Sequence, residues 1–153
     1  MGTTHFRSKL DTPALMVNGV EQTATPAELN KLDGAPLDAS FVIGAEAANV
    51  INVGIQLKDA NGADLAVRGS VRAYFSDDAN GDSIIATAPS GAVAIGTDGV
   101  LYDVGAAKKV FFLTSEADGD IDINITEAGA KTLYLVLVLP NGLLKVSPAI
   151  TFV

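Results

Sequence analysis

From Ile51 onward, hydrophobic and polar residues alternate with a period of two. Ile51, Val53, Ile55 and Leu57 interleave with Asn52, Gly54, Gln56 and Lys58, which gives a strand one apolar and one polar face. After the turn sequence Asp59-Ala-Asn-Gly62, Val71, Ala73 and Phe75 alternate with Arg72, Tyr74 and Ser76. Shorter apolar stretches follow at Ile84 to Ala86, Ala92 to Ile95 and Val100 to Val104, separated by glycine-containing turns such as Thr97-Asp-Gly99. KKVFFLTS, IDINITEA, TLYLVLVL and the terminal LLKVSPAITFV complete the series, broken at Asp118-Gly-Asp120 and Pro140-Asn-Gly142. Strands at this spacing, with a turn signal about every 8 to 12 residues, predict an all-β fold. The architecture expected is an antiparallel immunoglobulin-like β-sandwich over residues 50–153. Leu133 to Leu139 breaks the alternation because both of its faces are apolar. A half-exposed sandwich strand has one wet face, so the side bearing Tyr134 and Val136 needs a cover: the N-terminal arm, a loop or another subunit.

Residues 1–49 read differently. Three prolines and two short apolar clusters, Leu15-Met-Val17 and Phe41-Val-Ile43, give no continuous period, and the expectation is an extended arm. One short helix is predicted near residues 26–32. Thr25 suits its N-cap, Pro26 its first position, Glu28 the reciprocal site of a capping box, and Gly34 a left-handed stop. Leu29 and Leu32, three apart, form its narrow apolar edge. Two turns are marginal in water, and ordering backbone costs about 1 to 2 kcal/mol per residue, so the arm requires a surface to pack on.

Composition narrows the function. The chain has 153 residues, 48% of them hydrophobic, with no tryptophan and no cysteine, and a mean hydropathy of +0.34. This suits one globular domain, or a domain plus an arm, without disulfides or thiolate chemistry. No apolar run approaches the length needed to span a bilayer, and MGTTHFRSKL has neither the core of a secretory signal nor the myristoylation pattern, so no membrane partner is expected. A net charge of −8 and a pI near 4.4 argue against nucleic acid, whose binding is dominated by phosphate neutralisation. The first ten residues carry only Arg7 and Lys9, a balance of +2 that leaves −10 for the remainder. This basic tip is a candidate contact for an acidic partner.

Catalytic chemistry finds little support. His5 is the sole histidine; its place at the N-terminus argues against a Ser-His-Asp arrangement, and its being alone leaves no multi-histidine metal site within one chain. The acids of Asp77-Asp78 and of Asp118 and Asp120 lie in turn sequences, where Asp serves conformation. DDANGDS resembles a calcium loop in its spaced oxygen donors, but it lacks the DxDxDG register and the closing glutamate. No glycine-rich phosphate loop is present. The expectation is therefore no enzyme, no cofactor and no metal. The candidate partner-binding residues are Arg7, Lys9, Leu15, Val17, Leu29, Leu32, Tyr134 and Val136.

The string Val20-Glu-Gln-Thr-Ala-Thr-Pro-Ala-Glu-Leu-Asn-Lys-Leu-Asp-Gly34, with its lead-in Asn18-Gly-Val20, resembles the VTATAAELNxLDG motif of tailed-bacteriophage virion proteins. It departs from that motif at Pro26, where alanine is usual. GDIDINITEAGAKTLYLVLVLPNG more loosely resembles the β-rich domains of small head proteins of such phages. The resemblance implies a structural protein of the virion, made in the host bacterial cytoplasm. A single motif copy without a repetitive shaft favours a capsid decoration, or cement, protein over a tail fibre. The family resemblance further implies binding to the major capsid protein on the outer surface of the shell, bridging of capsomers, and assembly as a homotrimer. A tail fibre, baseplate or other tail-associated immunoglobulin-like component contacting host-surface glycans is the alternative.

Overall fold

The computed structural model describes residues 34–153 apart from residue 106, together with two short strands upstream, β1 (Met16–Val17) and β2 (Val20–Glu21). β1 and β2 pair antiparallel, Val17 opposite Val20. The two residues between them are Asn18 and Gly19, a dipeptide favoured in two-residue hairpin loops. The helix expected near residues 26–32 lies outside the described residues, and among the described residues there is no helix.

Ten further strands form two antiparallel sheets. They are β3 (Asp38–Ile43), β4 (Val50–Lys58), β5 (Ser70–Ser76), β6 (Val93–Ile95), β7 (Val100–Asp103), β8 (Val110–Thr114), β9 (Asp120–Thr126), β10 (Lys131–Val138), β11 (Leu144–Val146) and β12 (Ile150–Phe152). The four-stranded sheet runs β3-β4-β9-β6, and the six-stranded sheet runs β11-β10-β5-β8-β7, with β12 also on β10. Their inward residues form a single core that includes Ile51, Val53, Ile55 and Leu57 from β4, Ile121, Ile123 and Ile125 from β9, and Phe75, Phe111, Leu135 and Leu137 from the facing sheet. Phe75 and Phe111 meet edge to face, with ring centroids 5.3 Å apart, an arrangement suited to the aromatic quadrupole. The period-two pattern has thus done what alternation dictates, sending every second side chain inward.

Several local features depart from the sequence reading. The change of pattern near residue 49 falls at a tight hairpin turn, not at the edge of the folded unit. Ala47 and Val50 exchange both backbone hydrogen bonds, at 2.9 and 3.0 Å, while Ala48 and Asn49 both have positive φ, as a two-residue hairpin of this type requires. β3, upstream of the turn, is hydrogen-bonded along β4 from Asp38 to Ile43, and Ala39, Phe41 and Ile43 belong to the core or pack against it. Ile84 to Ala86 is not a strand. Ile85 is buried, its N–H donating to the Phe75 carbonyl at 2.7 Å, so the apolar run marks an anchored loop. The last run is two strands. The register along β10 shifts by one residue between Val136↔Val146 and Leu133↔Ile150, a bulge at Ser147-Pro148. The Ser147 hydroxyl accepts from the Leu135 N–H at 2.9 Å and donates to the Pro148 carbonyl at 2.8 Å, replacing ladder bonds the bulge interrupts.

Residues 86–91 carry little secondary structure and are held by side chains. Glu127, buried at the end of β9, accepts from the Ser90 hydroxyl at 2.6 Å and from the Ser90 N–H at 3.1 Å, and pairs with Lys131 at 3.3 Å. The Ser90 hydrogen bonds, opposed in part by burial and aided by Lys131 and Gly129, hold its carboxyl down at about 2. Lys108, Lys109 and Lys131 donate to carbonyls of Ala86, Thr87, Ala88, Pro89, Ser90 and Gly91.

Candidate docking surface

The outward residues of the six-stranded sheet are as apolar as its inward ones are at several positions. Cross-strand register places Tyr102 opposite Phe112, Phe112 opposite Arg72, Arg72 opposite Val138, and Val138 opposite Leu144. This row crosses β7, β8, β5, β10 and β11. Tyr102 is 58% exposed, Phe112 38% and Leu144 45%, far from the burial such residues reach in a core. A neighbouring row runs Val110, Tyr74, Val136 and Val146, and Val104, exposed, joins it through an N–H bond to the Val110 carbonyl. On the other side lie Val100, Thr114 and Ser70. Across these rows the only charged side chain is Arg72. Every other lysine and arginine among the described residues has a carboxylate or carbonyl partner, whereas Arg72 has none among the described residues. A shallow depression beside Arg72 is lined by Ser70, Phe112, Val138 and Pro140.

The far end of this face is closed by the loop that follows β5. The Tyr74 hydroxyl donates to the Gly81 carbonyl at 2.5 Å, and burial, then the carboxylates of Asp82 and Asp78, push its phenol pKa up. Gly81 has φ +76°, and a Cβ built there would sit 3.1 Å from a Val136 methyl, so this left-handed position seats the loop directly on β10. Within the same loop, Asp78 accepts from the N–H groups of Asn80 and Asp82, and Asp77 from that of Ala86. Asp77 and Asp78 of DDANGDS are thus engaged in turn bonds, and among the described residues no group of three or more His, Asp or Glu side chains is arranged to hold a metal.

The outer side of the four-stranded sheet is chemically opposite. Asn52 bonds Asn124 at 3.0 Å. Gln56 donates to the Leu57 and Asp118 carbonyls, and the Thr97 hydroxyl lies 2.6 Å from Asp122 and 2.9 Å from Asp98. Burial, with the carboxylates of Asp118, Asp98, Asp122 and Asp64 adding to it, pushes the Asp120 carboxyl up. Val42, 73% exposed, is the most exposed large apolar residue on this side; the outward Val50 is half-buried and the outward Ala94 is exposed.

Of the residues singled out from the sequence, Tyr134 is half-buried on β10 opposite Ser76. Val136 is fully buried under the Gly81 loop, beside Val146, so the apolar outer side of β10 is covered there by the chain's own loop. Val17 lies in β1. Arg7, Lys9, Leu15, Leu29 and Leu32 lie outside the described residues. Arg72, Tyr102, Phe112 and Leu144 are not among the partner-binding residues named from the sequence, since each belongs to a different strand and only the pairing register aligns them. No protein-family model matches the chain, and no curated protein matches it.

Proposed function

We propose that this protein is a non-enzymatic structural protein of a tailed-phage virion, a decoration or cement protein on the outer surface of the capsid. The observation that carries the reading is the carboxylate-free, largely apolar row Tyr102, Phe112, Arg72, Val138 and Leu144 on the outside of a sandwich in a chain of net charge −8. A flat sheet face of this chemistry buries apolar area against a partner at about 25 cal/mol per Å², and the absence of carboxylates spares the desolvation of charge. The resemblance of Val20 to Gly34 to the AELNxLDG motif supplies the partner class, the major capsid protein. Homotrimeric assembly would multiply a modest single-copy affinity through effective concentration. Bridging contacts would oppose separation of adjacent capsomers.

The finer fold assignment belongs to the same reading. The order β3-β4-β9-β6 corresponds to strands A-B-E-D of an immunoglobulin-like sandwich, and β11-β10-β5 to G-F-C. β7 and β8 then extend the C edge, entered from the far side because β6 precedes them in the chain. This hairpin supplies Tyr102 and Phe112, so the added element carries much of the proposed docking face.

The test is cosedimentation with empty expanded shells assembled from the major capsid protein of the phage that encodes the chain. Saturable binding with a raised shell disruption temperature supports the reading. Absence of binding at micromolar protein, with binding instead to purified tails, would transfer the protein to the tail.

A further inference from the structure

β3 lies at the open margin of the four-stranded sheet, bonded to β4 on one side only. In an antiparallel ladder, alternate residues turn their backbone groups towards the neighbouring strand. The Gly44 N–H donates to the Asn52 carbonyl, so by the register the even-numbered residues of β3 bond β4, and Ala39, Phe41 and Ile43 turn their backbone groups outward. The Ala39 N–H is taken by the Asp38 carboxylate at 2.7 Å. The N–H groups of Phe41 and Ile43 have no partner among the described residues. Such an edge is a template for another strand unless charge, proline or brevity blunts it. Ser40 to Gly44 holds neither charge nor proline, and the other strands at the sheet margins are shorter, three residues in β6, β11 and β12 and four in β7. The flanking acids are engaged, Asp38 by Lys145 and Glu46 by the Val153 N–H. Val42 faces Gly54 across the ladder, which offers its side chain no partner and leaves it 73% exposed.

We infer that β3 pairs antiparallel with β3 of a second copy of this chain, about a twofold axis through Val42. The two outward donors flank Val42, so this register joins Phe41 of each copy to Ile43 of the other by reciprocal backbone hydrogen bonds. It sets Val42 against Val42 of the second copy, at the closer spacing of a non-hydrogen-bonded pair, and Ser40 against Gly44. Phe41 and Ile43, half-buried at the margin of the core, become neighbours across the axis and cover one another. Charge favours this edge-on contact in a chain of net charge −8. The axis stands perpendicular to the sheet, so the acidic faces lie side by side and the two copies of β9 fall about 24 Å apart, roughly three screening lengths. Both six-stranded sheets lie on the opposite side of the joined sheet, so pairing buries neither docking row and is not required for one to meet a shell. A trimer of the kind proposed above would carry one such edge per copy and join its neighbours through them.

The experiment is amide hydrogen exchange of the full-length protein across a dilution series, without shells. Protection at Phe41 and Ile43 should rise by about tenfold or more from the dilute to the concentrated end, while Ser40 and Val42, bonded to β4, stay constant. Val42→Lys should abolish the rise. In a chain without cysteine, Val42→Cys in a glutathione redox buffer should yield a covalent dimer, because facing Cα atoms about 4.5 to 5.5 Å apart suit a disulfide. Ser40→Cys, two residues away on the same side of β3, should not, because its copies would fall about 13 Å apart. The amides of Val53 and Leu135, in core strands, report whether each variant stays folded. Protection at Phe41 and Ile43 that is absent, or that is independent of concentration because the chain covers its own edge, overturns the proposal. So does cross-linking that is equal at the two positions. Shell binding enters none of these readouts, so the pairing and the function proposed above fail separately.

Discussion

The two outer faces of the sandwich are built from the same period-two strands, yet they have opposite chemistry. The four-stranded side shows Asn52, Gln56, Asp98, Asp120, Asp122 and Asn124 to solvent, with paired amides and mutually repelling carboxylates. The six-stranded side shows Tyr102, Phe112, Val138 and Leu144 around Arg72. The inward residues of both sheets are interchangeable in kind, Ile, Val, Leu and Phe. The lesson is that folding constrains only half of each strand, and the other half is free to record what the protein must avoid or meet. A wet acidic face disfavours contact between copies through like-charge repulsion, whereas an exposed apolar row is, in the function proposed above, the site of contact.

The largest effect should come from setting Phe111 against Phe112, adjacent residues on β8 that point to opposite sides. Phe111→Ala empties a core site and should cost about 3 to 5 kcal/mol in urea unfolding. Phe112→Ala should stay within about 1 kcal/mol. Equal losses would mean that the outer aromatic serves folding, and the distinction between the two sides of the sheet would fail.

A smaller effect tests the carboxylates at the other sheet. Glu127→Gln should lose about 2 kcal/mol at pH 7, because charged hydrogen bonds to Ser90 and Lys131 are replaced by weaker ones. Since the folded-state value is depressed to about 2 from 4.5, this stability is fully present above pH 4.5 and drains away as the pH falls towards 2. The glutamine variant should lack that part of the acid sensitivity when melting temperature is followed across this range.

Gly81→Ala comes next, at about 1 to 2 kcal/mol, from its left-handed φ and from crowding against Val136. Faster amide exchange at Val136 would show that the loop, and not a second molecule, keeps this part of the apolar face dry. Smallest is Asp120→Asn. Because burial and neighbouring acids raise the Asp120 carboxyl, the ionised form is disfavoured at neutral pH. The variant should gain a few tenths of a kcal/mol there. The gain should vanish below pH 3.8, where the native carboxyl is protonated in both states. A loss at pH 7 would show that the acidic side is cohesive.

Much of the sandwich was legible because alternation over Ile51–Leu57, Val71–Phe75 and Ile121–Ile125 leaves one register that buries the apolar set. Ile85 misled because one buried side chain in a loop looks, in sequence, like a short strand. β3 escaped notice because its alternation, Ala39, Phe41 and Ile43 with Ser40 and Val42 between, is blurred by the exposed Val42. Its turn, Ala48-Asn49, also lacks the glycine that flags such hairpins. The surface row was not legible at all. Arg72, Phe112 and Leu144 are neighbours only through pairing across β5, β8, β10 and β11, and no local pattern encodes that order.

The central claim is that the two outer faces differ in function as they do in chemistry, and matched charge insertion tests it most directly. Phe112→Asp and Val42→Asp each place one carboxylate on an exposed apolar residue, on opposite sides of the sandwich. Cosedimentation with expanded shells should show binding abolished for Phe112→Asp and unchanged for Val42→Asp, with both variants folded by amide exchange. Retained binding by Phe112→Asp, or its loss in Val42→Asp alone, would contradict the account.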